Sequence, residues 1–148
     1  MARNIMMSVL IIFLMACSKQ LESGKLIHEG QTGPNTQWMG KKSIAEAYDN
    51  QTFEDLWNTF NIEKKRPHIN WGKYAILFTY TLESSCPKEI SRFQLSDGGK
   101  KLTIETTQKG STCDDIGLPK SFVFQIEKEK LSNIETISFE GKSFDLKD

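Results

Sequence analysis

The chain has 148 residues, of which 38% are hydrophobic and 26% are charged. This size and composition are typical of one water-soluble globular domain, and they exclude a disordered tail or a protein with several membrane spans. The 19 Lys and Arg residues are balanced by 19 Asp and Glu residues, so the chain lacks the positive field that attracts nucleic acid. Two histidines and three cysteines supply few of the side chains from which metal sites and nucleophile–base pairs are built.

The N-terminus has the pattern of an export signal. Arg3 precedes an apolar run at residues 5–16, which is too short to span a bilayer because a spanning helix needs about 20 residues. The run ends in Leu-Met-Ala-Cys at residues 14–17. This resembles the bacterial lipobox, in which the cysteine is acylated and the chain is cut just before it. We therefore expect residues 1–16 to be a lipoprotein signal peptide. Lipid on Cys17 would then hold the protein on the bacterial cell membrane, facing the extracytoplasmic side.

Two alternatives remain open for this segment. Ordinary signal peptidase could cut after Ser18, with Ala16 and Ser18 as the small residues at the cleavage site, and would then remove Cys17. An uncleaved hydrophobic anchor would instead keep the apolar run in the membrane.

The sequence divides after the signal into a polar segment and a folded body. Residues 17–42 are rich in Gly, Gln, Ser and Thr and read as a lipidated N-terminus with a polar tether, followed by a single domain at residues 43–148. Apolar interruptions of the tether predict a short strand near residues 25–29 and a docked loop near Trp38. At the start of the domain, Ser43 to Tyr48 predicts a helical turn capped by the serine.

The strongest helical pattern covers Thr52–Phe60. Its apolar residues follow the spacing i, i+3, i+4, i+7, so they share one face that would pack on the core. Thr52 is the predicted cap, and two acidic residues fall in the first turn, where the helix dipole favours negative charge. The apolar residues of this face are Phe53, Leu56, Trp57 and Phe60.

All patterns after this helix predict β-strands. The run Lys73–Leu82 has apolar residues at both odd and even positions, as expected of a central strand covered on both faces. Asp97-Gly98-Gly99-Lys100 supplies the positive φ of a hairpin turn between two alternating segments. The predicted fold is therefore α+β, with one main helix packed on an antiparallel β-sheet or small β-sandwich. The remaining strands are predicted at residues 90–96, 101–107, 121–127, 134–139 and 144–146.

Two cysteines, Cys86 and Cys113, remain after Cys17. We expect them to form a disulfide, because exported proteins fold in an oxidising compartment. If the hairpin turn centres on residues 98–99, the position facing Cys86 lies two residues before Cys113. A β-bulge near Cys86 would correct this offset. A redox-active pair and two free thiols are the alternatives.

The order of motifs in the body resembles a known family. Phe-Glu-Asp-Leu-Trp at residues 53–57 is followed by Pro-His-Ile-Asn-Trp-Gly-Lys-Tyr at 67–74, a hairpin, and Pro-Lys-Ser-Phe-Val-Phe at 119–124. This order resembles the small extracytoplasmic domain at the C-terminus of the accessory B subunit of a bacterial surface protease complex, over about residues 52–127. That family carries a Thr-Gly-Gly-Tyr-like segment where this chain has Ser-Ser-Cys-Pro-Lys-Glu-Ile at residues 84–90. The resemblance implies the fold and a non-catalytic, binding role.

These observations predict a non-enzymatic module that binds an envelope protein, with no cofactor, metal, catalytic residue or nucleic-acid partner. The loops at residues 84–88 and 111–118 form the predicted binding surface, because the disulfide would hold them together. The alternative is a carrier of a small apolar ligand between the helix and the sheet, which requires a cavity of about 300 Å³ or more. The candidate contact residues are Ser84, Ser85, Lys88, Asp114, Asp115 and Trp38.

Overall fold

The structure, a computed structural model, describes residues 20–34 and 43–147. The predictions on Cys17 and Trp38 lie outside these residues. Within them, the elements in chain order are β1 (Gln20–Leu21), β2 (Gly24–Gly30), β3 (Ile44–Ala47), α1 (Asn50–Thr59), β4 (Tyr74–Glu83), β5 (Lys88–Leu95), β6 (Lys101–Gln108), β7 (Leu118–Glu127), α2 (Lys128–Asn133), β8 (Thr136–Phe139) and β9 (Lys142–Asp145).

The first sheet has five antiparallel strands in the order β1-β2-β7-β4-β3. Its centre is the pair β4 and β7, which runs over ten residues from Tyr74 opposite Glu127 to Glu83 opposite Leu118. Consecutive residues in the middle of β4 are buried, so both faces of the strand are covered. The prediction of a central strand covered on both faces is therefore confirmed.

The second sheet has four strands in the order β5-β6-β8-β9. Strands β5 and β6 form the predicted hairpin, and Gly99 adopts a φ of 69° in its turn, which a residue with a side chain rarely adopts. Strand β8 lies parallel to β6, from Lys101 opposite Thr136 to Ile104 opposite Phe139. The expectation of purely antiparallel sheets is wrong at this pair. The chain passes through β7 and α2 before it returns, so β8 enters beside β6 in the same direction.

The three layers of the domain enclose two apolar clusters. The larger cluster fills the space between the two sheets, and helix α1 covers the other face of the first sheet. The prediction of a helix on a sheet or small sandwich with one disulfide is confirmed. The largest fully buried side chains include Phe53 and Phe60 on the helix side and Phe122, Phe124 and Phe139 between the sheets.

Helix α1 begins two residues earlier than the sequence pattern indicated. Its cap is Asp49, whose carboxylate accepts hydrogen bonds from the backbone N–H and the hydroxyl of Thr52, both at 2.8 Å. These bonds lower the pKa of Asp49. Phe53 and Trp57 are buried on the predicted face, so the apolar pattern located the helix correctly. The predicted cap was wrong, and so was the expectation of acidic residues in the first turn, because the helix starts at Asn50 and its first turn holds none.

Two further local predictions need correction. The segment Ile44–Ala47 is an edge strand and not a helical turn, because it pairs with β4 while its first and last residues are buried. Strand β2 lies within the range 17–42 that was assigned to the tether, and it pairs with β7 through a bulge between Leu26 and His28. The strand predicted near residues 25–29 is therefore confirmed, and it belongs to the folded sheet and not to a tether.

Candidate functional site

The disulfide joins two loops at one end of the sandwich. Cys86 and Cys113 are bonded with an S–S distance of 2.05 Å, which confirms the predicted pairing. Cys86 lies between β4 and β5, and Cys113 lies between β6 and β7. We call residues 84–88 and 109–117 the disulfide tip.

The cysteines meet by a different route from the one the sequence suggested. The bulge in the hairpin lies between Ile90 and Arg92, so Lys88 faces Gln108. Gly110 then comes next to Cys86: a Cβ atom on this glycine would lie 2.6 Å from the Cys86 Sγ, and its φ is 132°. The predicted bulge beside Cys86 is therefore wrong, and the turn after Gly110 brings Cys113 to its partner.

Three hydrogen bonds donated by backbone N–H groups hold the two loops together beside the disulfide. The Ser85 N–H donates to the Asp114 carbonyl at 2.9 Å, and the Asp114 N–H donates to the Ser85 Oγ at 2.8 Å. The Lys109 N–H donates to the Pro87 carbonyl at 2.9 Å. The disulfide tip is thus fixed by one covalent bond and three hydrogen bonds, so little order must be gained when it binds a partner.

Two of the predicted contact residues stabilise the tip from within. Ser84 is buried, and its Oγ accepts hydrogen bonds from the Cys86 N–H at 3.1 Å and the Gln108 amide at 2.8 Å. The Lys88 ammonium pairs with Glu140, which also accepts a hydrogen bond from the Thr106 hydroxyl. Neither Ser84 nor Lys88 therefore offers a free polar group to a partner.

A buried charge network lies directly beneath the tip. Glu83 has 1% of its side chain exposed and Lys120 has 6%, and their charged groups lie 3.6 Å apart. The Lys120 ammonium also pairs with Glu29 at 3.1 Å, while Glu83 accepts hydrogen bonds from the Gln31 amide at 3.0 Å and the Lys88 N–H at 2.8 Å. Because buried charges are costly unless they are paired, this network fixes the ends of β2, β4 and β7 relative to each other.

Two large apolar side chains at this end are exposed to solvent. Leu82 is 47% exposed and Ile116 is 57% exposed, and these are the exposed large hydrophobic residues among those that the structure describes. The backbone next to Ile116 lies near Leu82, because a Cβ atom on Gly117 would lie 4.0 Å from the Leu82 Cδ1. Neither exposed side chain was predicted from the sequence, although an isoleucine in a polar loop, Ile116, was the available signal.

Acidic groups flank this apolar pair. Asp114 and Asp115 are exposed, and in the described part of the chain neither carboxylate forms one of the observed ion pairs. Ser85 is exposed beside them. The tip therefore presents a small apolar centre with a negative rim, and three of the predicted contact residues belong to it.

A second feature is an open cleft of about 530 Å³ beside the end of β2, lined in part by His28, Thr32, Asn61 and Lys64. His28 is 6% exposed, and its ring contacts Trp57 edge to face. Burial lowers the pKa of His28 to about 4, and the positive charges of Lys64 and Lys120 contribute. The imidazole is therefore neutral at pH 7 and shares a 3.3 Å hydrogen bond with the Thr32 hydroxyl.

The space between helix α1 and the sheet is occupied by aromatic side chains. Phe53, Trp57 and Phe60 of the helix segment contact Phe78 of β4, with ring centroids 5.0 to 6.4 Å apart. All four are buried. This packing fills the position in which the alternative prediction placed a small apolar ligand.

The described residues show no group of three or more His, Cys, Asp and Glu side chains placed to hold a metal ion. Among residues 20–34 and 43–147, no helix has the length and apolar character to cross a membrane. No known protein family, characterised protein or solved structure matches the chain. The resemblance to the accessory-subunit domain and the lipobox assignment therefore stay predictions.

Proposed function

We propose that the protein is a membrane-anchored extracytoplasmic lipoprotein that binds a protein partner at the cell envelope through the disulfide tip. Lipid on Cys17 anchors the chain, and the tip is the contact surface. The protein acts without catalysis, as the resemblance to the accessory-subunit domain also implies.

The observation that carries this proposal is the exposure of two large apolar residues at this end of the domain, Leu82 at the end of β4 and Ile116 in the disulfide tip. Leu82 and Ile116 are about half exposed. Burying such apolar groups against a partner lowers the free energy, so their exposure indicates a binding surface. A rigid apolar centre with a polar rim is the usual arrangement at protein interfaces. Asp114 and Asp115 supply the rim here, and their charge favours a partner with basic residues.

The proposal is tested by photocrosslinking in the native host. A photoreactive amino acid replaces Ile116 in one strain and Asp97 in a second, matched strain. Asp97 is exposed in the turn of the β5–β6 hairpin, at the opposite end of that hairpin. We expect a discrete adduct with an envelope protein from position 116 and none from position 97.

The adduct is then tested for its dependence on the tip. Adding Leu82→Ser to the position-116 strain should weaken the adduct, and binding of the purified partner should weaken about tenfold, which corresponds to about 1.4 kcal/mol of lost apolar contact. Equal adducts from positions 116 and 97, or an adduct that Leu82→Ser leaves unchanged, would remove the tip as the binding surface.

A further inference from the structure

The folded sheet begins very close to the proposed lipid site. Strand β1 pairs with the start of β2, with Gln20 opposite Lys25 and Leu21 opposite Gly24. Only Ser18 and Lys19 lie between Cys17 and this strand. The three residue steps from Cys17 to Gln20 span at most about 11 Å, because an extended chain advances about 3.3 to 3.6 Å per residue.

This distance changes the expected role of residues 17–42. A flexible tether of 25 residues would let the domain move freely above the membrane, at a typical distance of about 25 to 30 Å from its anchor. Because Gln20 pairs with Lys25, two residues of sequence separate Cys17 from the folded sheet. The length available between the lipid and the folded body is therefore less than half of that distance.

We infer that the lipid anchor holds the domain directly against the membrane surface, with the β1 edge of the first sheet facing the lipid headgroups. This inference rests on the proposed lipidation of Cys17. The partner of this surface is the lipid bilayer that carries the anchor, and the surface includes the β1–β2 turn at Glu22 and Ser23.

The position of β1 also decides where the disulfide tip lies. Across the sheet, Gln20 pairs with Lys25, Lys25 pairs with Gln125, and Gln125 pairs with Ile76 of β4. Gln20 and Ile76 therefore lie at the same height along the strands. Glu83, beneath the tip, lies seven residue steps along β4 from Ile76, which is a distance of about 23 Å at 3.3 Å per residue. This is about twice the reach of the link to Cys17. The anchor therefore cannot lie beneath the tip, which stays accessible to a protein partner.

Contact with the membrane would also protect an open sheet edge. Among the residues that the structure describes, strand β1 pairs with the first two residues of β2, which runs from Gly24 to Gly30. Uncovered edge strands can pair with a second copy of the same chain. A bilayer held against the β1 edge limits the approach of a second copy from this side.

The inference is tested with acylated protein isolated from the native host and reconstituted in vesicles of host lipid that contain a headgroup-labelled energy acceptor. A fluorescent amino acid replaces Glu22 in the β1–β2 turn or, as the matched control, Ser111 in the disulfide tip; both residues are exposed. Intact mass first confirms lipid on Cys17. We expect energy transfer at least twofold higher from position 22 than from position 111.

A second variant tests the short link itself. Inserting twelve Gly and Ser residues after Lys19 adds about 20 Å of flexible reach, so transfer from position 22 should fall towards the value at position 111. Acylated protein with equal transfer from both positions, or with transfer that the insertion does not change, would overturn the membrane contact alone. Protein without acyl mass would overturn the anchor proposal and this inference with it.

Discussion

Removing the disulfide should destabilise the domain by about 3.5 kcal/mol. Cys86 and Cys113 are 27 residues apart, and the chain-entropy relation for a closed loop of this length gives about 3.5 kcal/mol at 25 °C. The relevant change is Cys86→Ser combined with Cys113→Ser. The folded state should keep its tip, because the hydrogen bonds between residues 85 and 114 and between 87 and 109 do not depend on the sulfur atoms. The loss therefore arises in the unfolded chain, which gains freedom.

The assay is equilibrium unfolding in guanidinium chloride, with the oxidised wild type as reference and the wild type in reductant as the matched control. The free energy of unfolding should fall by the same amount in the variant and in the reduced wild type. The denaturant slope should rise slightly in both, because an uncrosslinked unfolded chain exposes more surface. A loss below about 1 kcal/mol would contradict the prediction. So would a large difference in the free energy of unfolding between the variant and the reduced wild type when their denaturant slopes agree.

Three further outcomes follow from the same contacts. Lys120→Met should cost about 3 to 5 kcal/mol in urea unfolding, because it leaves the buried Glu83 carboxylate without its cation; adding Glu83→Gln should recover part of the loss, and no recovery would contradict the pairing. The pKa of His28 is about 4 when folded and about 6.5 when unfolded, so the unfolded chain binds the extra proton between these values. Stability should therefore fall by up to about 3 kcal/mol as the pH drops from 6.5 to 4, and His28→Gln should remove this dependence; an unchanged pH profile would contradict it. Leu82→Ser with Ile116→Ser should change the free energy of unfolding by less than about 0.5 kcal/mol, because both side chains are exposed, and a larger loss would mean that they stabilise the fold.

The sequence predicts most of the elements whose pattern is set by local chemistry. The apolar face of α1 follows from its own spacing, and the β5–β6 hairpin follows from Gly99, which adopts the positive φ that the turn requires. The disulfide was predicted from the expected export of the chain and from its cysteine count, because two cysteines remain if Cys17 is acylated. In each case the signal lies within a few residues or in the count of a residue type.

The errors concern features that tertiary contacts decide. Ile44–Ala47 has no strong local preference and becomes a strand because β4 has an open side for it. The parallel pairing of β6 with β8 depends on the path through β7 and α2, which no local pattern reports. The short helix Lys128–Asn133 has one buried residue, Leu131, so it lacks the repeated apolar face by which α1 was found.

The binding surface could be predicted only in outline. Ser85, Asp114 and Asp115 are exposed at the tip as expected, while Ser84 is buried and Lys88 pairs with Glu140. Burial in a loop depends on which backbone groups need a hydrogen-bond partner, and the sequence does not show this. The exposed Leu82 was hidden because it continues the apolar run of β4.

The most direct test of the whole account is the intact mass of the protein purified from membranes of its native host. We expect a chain that begins at residue 17 and carries the mass of a diacylglyceryl group on Cys17, with its amino group either free or acylated. We also expect no thiol that reacts with an alkylating agent before reduction. A chain without acyl mass, or one in which Cys86 and Cys113 both alkylate without reductant, would contradict it.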